Sequence, residues 1–253
     1  MTSEIEETAK AAQEIAKTAG KVIEAGEKFG GFISKYIGGS LEQGIGIFED
    51  KLKYMRWERQ VRLIERAQGV LHERGYNYPV IPVPPKLAIP ILQSASLEEN
   101  DVLQDKWAYM LVNATDPNCK ARIDVKFAKI LDELSLYDVR ILDIICKSVT
   151  GFGDGVTTIH LPEKVLPLDA HISENENPSY EVQVSLENLV RLGLLRNETF
   201  AYQLLRVRVM ALGWELYKAC ERYPNHRHDQ PKSWPVSLSP VEQIKGGDRG
   251  VRH

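Results

Sequence analysis

Apolar residues recur at three- and four-residue steps along much of the chain, and each such run reads as an amphipathic helix. Across 51–74 the stripe is Leu52, Met55, Val61, Leu63, Ile64, Val70 and Leu71. Ser96 followed by Leu97-Glu98-Glu99 reads as a capping box. The helix it opens carries Val102, Leu103, Trp107, Met110 and Leu111 on one face and stops near Asn113, before the Asp116-Pro117-Asn118 turn. A second helix over 121–133 stacks Ile123, Phe127, Ile130 and Leu131. Ser135 with Asp138 caps a third, with Leu136, Val139, Ile141, Leu142 and Ile145. The period is lost over 150–181, where Gly151, Gly153 and Gly155 mark a loop and 156–161 suits a short strand. Ser185 then precedes a short helix that ends at Gly193, 200–209 reads as a strand or hairpin, and 211–222 closes as a helix.

These elements predict a mainly α protein. A helical, amphipathic, glycine-rich arm spans 1–75, and a proline-rich linker spans 76–85. An α-helical central body spans 86–134, a winged-helix-like α+β unit spans 135–222, and a polar tail without periodicity, read as disordered, spans 223–253. The winged-helix expectation rests on the order helix, strand, short helix, hairpin, helix.

Glycine changes the picture of the arm. Of 18 glycines in the chain, those at 20, 26, 30, 31, 38, 39, 44 and 46 crowd into its first part. Within 29–48 only Lys35 and Glu42 are charged, while Phe29, Phe32, Ile33, Tyr36, Ile37, Leu41, Ile45 and Phe48 form an apolar stripe. Each glycine inside a helix costs about 0.8–1 kcal/mol relative to alanine, so a plain soluble helix gains nothing from them. Two readings stay open: short soluble helices joined by turns, or a segment that contacts a membrane or protein partner conditionally. Directly downstream, Lys51, Lys53, Arg56 and Arg59 are candidates for lipid headgroups or an acidic partner. The alternative for 51–74 is an amphipathic packing helix.

Composition bounds the rest. The chain has 253 residues, net charge −3, 43% hydrophobic and 26% charged residues, which are ordinary globular values. This balance argues against a strongly basic nucleic-acid binder. Three cysteines are too few and scattered for a disulfide framework, so a reducing compartment is expected. The acidic start lacks the layout of a signal peptide, and no uncharged apolar run is long enough for an ordinary span. The expected location is the cytoplasm, with contact at the periphery of the inner membrane as the further possibility.

No nucleophile elbow, phosphate loop, HExxH or paired CxxC occurs, and no catalytic, cofactor-binding or metal-ligating residue is assigned. The GFGDG run at 151–155 lacks a following helix, which a dinucleotide loop needs. His226 and His228 near Cys220 supply too few ligands for a metal site. Glu98, Glu99 and Asp101 read as first-turn acids complementing a helix dipole. Nucleic-acid contact would fall to Arg196, Arg206 and Arg208 near the wing. The candidate recognition helix 186–194 carries only Arg191 against Glu187, a poor phosphate neutraliser, so a solvated wing is the simpler reading.

Residues 82–117 carry Pro84-Pro85, Ile91-Leu92, Ala95-Ser96, Glu98-Glu99-Asn100, Leu103, Trp107-Ala108, Leu111, Asn113-Ala114 and Asp116-Pro117. This pattern resembles the abortive-infection alpha family of bacterial proteins. The segments LDELSLYDVRILDII, LENLVRLGLL and ALGWELYKAC agree with that family's C-terminal part, so the resemblance covers about 25–222. It implies a role in defence against phage, in which infection leads to growth arrest or death of the cell. No site is carried over, because no catalytic motif attaches to the family. The leading expectation is a non-enzymatic effector that meets a protein partner or forms a homo-oligomer, without a cofactor or small-molecule substrate. The alternatives are a winged-helix DNA-binding regulator and a soluble helical adaptor or assembly protein.

Overall fold

Pro84 and Pro85 open a helix instead of prolonging the extended stretch before them. The structure is a computed structural model that describes residues 31, 57–119, 121, 123–173, 176–199 and 203–222. In it α1 runs Trp57–Glu73 and α2 runs Pro85–Leu97. Pro85 sits at the start of α2, where its missing N–H is no loss and its fixed φ suits the helix. The sequence reading finds no helix before Ser96 because proline marks a break inside a helix but not at its first turn. The linker reading of 76–85 therefore ends in a helix start, and Val83 within it is fully buried.

Helix α3 follows at Asp101–Asn113. Its cap is Asn100, whose side chain accepts from the Val102 and Leu103 N–H groups. The capping box expected at Ser96 does not form: Ser96 is buried in the last turn of α2 and donates to the Gln93 carbonyl at 2.7 Å. Val102 turns to solvent, 49% exposed, while Leu103, Trp107, Met110 and Leu111 keep the buried face. Polar contacts between α1 and α3 keep a nearly constant offset. Arg59–Glu99 is 40 residues apart, and Arg62–Asp101, Arg66–Asp105 and Arg74–Asn113 are each 39 apart. The two helices therefore rise together, parallel and in step, with α2 as the return between them.

Helix α4, Val125–Asp132, is shorter than expected and is capped by Asp124. Helix α5, Leu136–Lys147, opens with the Ser135/Asp138 capping box that the sequence predicts. Leu136 departs from the expected face, at 38% exposed. Helix α6 runs Tyr180–Arg191 with Ser179 as its cap, so Ser185 lies inside the helix and does not begin it. Gly193 ends the turn with φ +71, a conformation glycine adopts cheaply. Helix α7, Ala211–Ala219, closes the described chain.

Four short strands form one antiparallel sheet. They are β1 (Gly155–Thr157), β2 (Leu166–Pro167), β3 (Leu195–Asn197) and β4 (Arg206–Val209), in the order β2-β1-β4-β3. Val156 faces Val207 and Leu195 faces Val209 across the ladders, and all four are buried. Alternation then sends Arg196 and Arg208 to the other face, directly opposite each other. The hydrophobic core is continuous from Leu63 on α1 to Cys220 after α7, so 57–73, grouped with the arm by sequence, shares the core of the body.

The lower ends of α1, α3 and α7 meet at one polar node. The side chain of Arg74 is 4% exposed. Its Nη2 donates to Asn113 Oδ1 at 2.6 Å and its Nη1 lies 3.5 Å from Asp116 Oδ2. Asn113 Nδ2 donates to the Ala219 and Glu221 carbonyls, which terminate α7. Replacing Arg74 by Ala leaves Asp116 buried without its cation. We expect Arg74→Ala to lower the unfolding free energy by about 3–5 kcal/mol, read by urea melts. Gly213 is a second constraint, because a Cβ there would lie 2.2 Å from the Leu194 carbonyl oxygen. Gly213→Ala is expected to cost about 1–3 kcal/mol by forcing α7 away from β3, measured in the same melts.

Candidate functional site

Most of the arm's candidates, Phe29, Phe32, Ile33, Tyr36, Ile37, Leu41, Ile45, Phe48, Lys51, Lys53 and Arg56, lie outside the described residues. Arg59 lies within them. Its side chain is 16% exposed, its Nη1 donates to the Leu97 carbonyl at 2.7 Å, and its Nη2 pairs with Glu99. Arg62 and Arg66 reach Asp101, and Arg66 also pairs with Asp105. The acids read from sequence as dipole partners thus serve a further purpose: they receive the cations of α1 and turn its basic stripe onto the body.

The three wing arginines are also engaged within the chain. Arg196 donates through Nε and Nη2 to Glu198 Oε1, at 2.9 and 2.7 Å. Arg208 reaches the same carboxylate and the Gly153 carbonyl. Hydrogen bonds from Arg208 and Arg196 hold the Glu198 carboxyl below its ordinary pKa. Arg206 is used differently, donating to the Leu168 and Ala170 carbonyls at 2.8 and 3.0 Å and fastening the segment after β2. The structure brings Arg196 and Arg208 together and separates Arg206 from them in role. The GFGDG run leads into strand β1, not into a helix, as its sequence context suggests.

Between α5 and α6 lies an open groove of about 660 Å³. Tyr137, Tyr180, Glu181 and Val184 form its rim, and Asp138 lies in its floor. Asp138 accepts from the Ser185 hydroxyl at 2.6 Å, the Ser135 hydroxyl at 2.8 Å, the Ser135 N–H at 2.9 Å and Asn188 Nδ2 at 3.0 Å. These bonds make it a cap that staples α5 to α6. Nothing in the spacing of Ser135 and Asp138 signals the second half of this link, because Ser185 lies 47 residues from Asp138.

A second polar cluster sits where α3, α5 and α7 meet. Lys106, 7% exposed, pairs with Asp143 at 2.7 Å. Burial works against its charge, yet Asp143 outweighs burial and holds its pKa above the ordinary value. Burial pushes the Cys146 and Cys220 thiols up to about 12. Sequence reasoning missed this cluster, since neither Lys106 nor Asp143 carries a local motif. Among the described residues, no group of three or more His, Cys, Asp or Glu side chains is placed to hold a metal ion. His226 and His228 lie outside them.

The thiols yield a pH dependence. Unfolded thiols ionise near about 8.5, whereas Cys146 and Cys220 keep their protons in the folded chain until about 12. The folded state then binds more protons than the unfolded one, so their contribution to stability is full below that lower value and is lost as pH rises through the window. Urea melts from neutral to strongly alkaline pH should show this fall, reduced in Cys146→Ala. At neutral pH an aromatic disulfide reagent should react first with the half-buried Cys119 and reach Cys146 and Cys220 only on unfolding.

The sequence profile described as abortive infection alpha matches residues 58–220. No curated protein and no solved structure matches the chain. The matched span runs from the second residue of α1 to the cap of α7 and is well over half of the sequence. It contains the Arg–acid ladder, the Arg74 node, the α5–α6 staple and the wing, and on this match the chain belongs to the abortive infection alpha family.

Proposed function

We propose that this protein is a non-enzymatic anti-phage protein of the abortive-infection type. Its body, α1–α7, senses infection or self-associates, and its glycine-rich segment 20–48 acts on the inner membrane from the cytoplasmic side. One observation carries the reading. The segment leads through Lys51, Lys53 and Arg56 into α1, and α1 is held in step on α3 by the pairs Arg59–Glu99, Arg62–Asp101 and Arg66–Asp105. A change in the body is therefore passed along a fixed helix to the start of the apolar segment. The polar chemistry of the body fits a scaffold: Asp138, Arg74 and Lys106 are each used to join one helix to another. No helix among the described residues is long and apolar enough to cross a membrane, so the contact proposed for 20–48 is conditional. Family membership supports the defence role, and the partner fitting this reading is a protein or a second copy.

A second reading, a winged-helix regulator, is favoured by the sheet. The order α5, β1, α6, β3, β4 with β1 beside β4 is that of a winged helix. Its weakness is charge, since Glu198 engages two wing arginines and backbone carbonyls take the third.

Two measurements separate the readings. Dye leakage from phosphatidylglycerol-containing vesicles is expected from the full chain and not from a variant lacking 20–48. Equal leakage from both, or none from either, overturns the membrane reading. Binding to duplex DNA is expected to be weak and flat against salt, and a steep fall in affinity with rising salt would establish the regulator instead.

A further inference from the structure

The turn from Thr150 to Gly155 holds a phenyl ring out to solvent on a rigid mount. Phe152 is 65% exposed, with a glycine on each side. Around it the backbone is tied at several points. The Thr150 N–H and hydroxyl both donate to Asp154 Oδ2, at 3.0 and 2.7 Å. The Gly153 N–H donates to the Val209 carbonyl at 2.8 Å, and the Val209 N–H returns to the Asp154 carbonyl at 2.9 Å. Arg208 Nη1 donates to the Gly153 carbonyl. Gly153 has φ +89, which permits the bend. A slack loop would fold its ring back on the protein, whereas this one is fixed to β4 with the ring outward.

The surroundings carry more cations than acids. Lys147 ends α5 five residues upstream, its side chain 58% exposed, and shares Asp143 with the buried Lys106. Arg208 holds the turn, and Arg196 lies opposite it in register, with side chains 31% and 59% exposed. Asp154 and Glu198 are the opposing acids, and both are occupied, Asp154 by the turn's own donors and Glu198 by the two arginines. An apolar ring beside ammonium and guanidinium groups is the composition of an interfacial anchor: the ring enters the boundary between headgroups and acyl chains, and the cations meet the phosphates. A nucleic-acid strand needs a longer basic track than this cluster offers, and Glu198 lies between the two arginines where its phosphates would run.

We propose that the Thr150–Gly155 turn is a membrane-contact finger on the body. Phe152 enters the boundary layer of an anionic bilayer while Lys147, Arg196 and Arg208 face its phosphates. The inference rests on the membrane role proposed above and adds a contact separate from segment 20–48.

The test uses the full chain. Phe152→Cys, in a Cys119→Ser background so that the two remaining native thiols are buried, is labelled with an environment-sensitive nitrobenzoxadiazole fluorophore. Vesicles of equal parts phosphatidylethanolamine and phosphatidylglycerol should shift its emission to the blue and brighten it, and phosphatidylcholine vesicles should leave it unchanged. In the unlabelled full chain, Phe152→Ser should weaken binding to the anionic vesicles about tenfold, the loss of one buried phenyl group. A label that stays water-exposed on anionic vesicles overturns the finger, and so does an emission change with single-stranded oligonucleotide but not with vesicles. The two membrane claims fail separately. A silent label together with leakage that depends on 20–48 removes the finger alone. A responding label together with leakage that ignores the deletion removes the segment's role alone.

Discussion

Arg74 is the cation around which the helices of the body are arranged. Its guanidinium is buried at the foot of α1, and burial of a charge is tolerated only when partners are fixed in place. Asn113 and Asp116 supply them from the end of α3 and the turn beyond it. Asn113 then spends its amide on the carbonyls that end α7. One side chain thereby determines where α1 stops, how α3 ends and where α7 docks. The rest of the α1–α3 interface follows from the same register, since both helices rise by the same amount per residue and each arginine of α1 meets an acid of α3 about one step further along.

That economy of charge shapes what the body can do. The basic residues expected to face outward are largely directed inward or along the surface to nearby acids. Arg59 and Arg66 hold α1 to α3, Arg206 fastens the segment after β2, and Arg196 and Arg208 share Glu198. Such pairs add modestly to stability when exposed, but they fix geometry. A body of this kind is suited to holding and transmitting. Within it the Phe152 turn stands out because an apolar group is kept in water by a hydrogen-bonded frame, the reverse of what packing alone produces.

Legibility followed the range of the interactions. Ser135 and Asp138 are three residues apart and close a box within one helical turn, so their pattern is readable as written. Ser96 and Asn100 show the limit. Both are cap residues beside acids, and only the buried position of Ser96 in α2 decides that Asn100 does the capping. Helix α2 escaped reading because its prolines at 84, 85 and 90 signal extension locally, while the burial of Leu87, Ala88, Ile91 and Leu92 favours the helix. The family pattern over 82–117 was recognisable, and the structure shows what several of its residues do. Trp107, Ile91 and Leu111 fill the core, and Asn113 and Asp116 hold Arg74.

The sequence alone determined the helical character of most elements, the α5 cap, the family and the glycine-rich apolar character of 20–48, because these depend on spacing and composition within a few turns. Only the tertiary structure decided the destinations of the charges, the parallel register of α1 on α3, the Asp138–Ser185 staple, the burial of Lys106 and the outward ring of Phe152. Each of these joins or exposes groups according to how distant segments pack, and a burial or an ion pair across 35 to 108 residues leaves no period in the chain to be read.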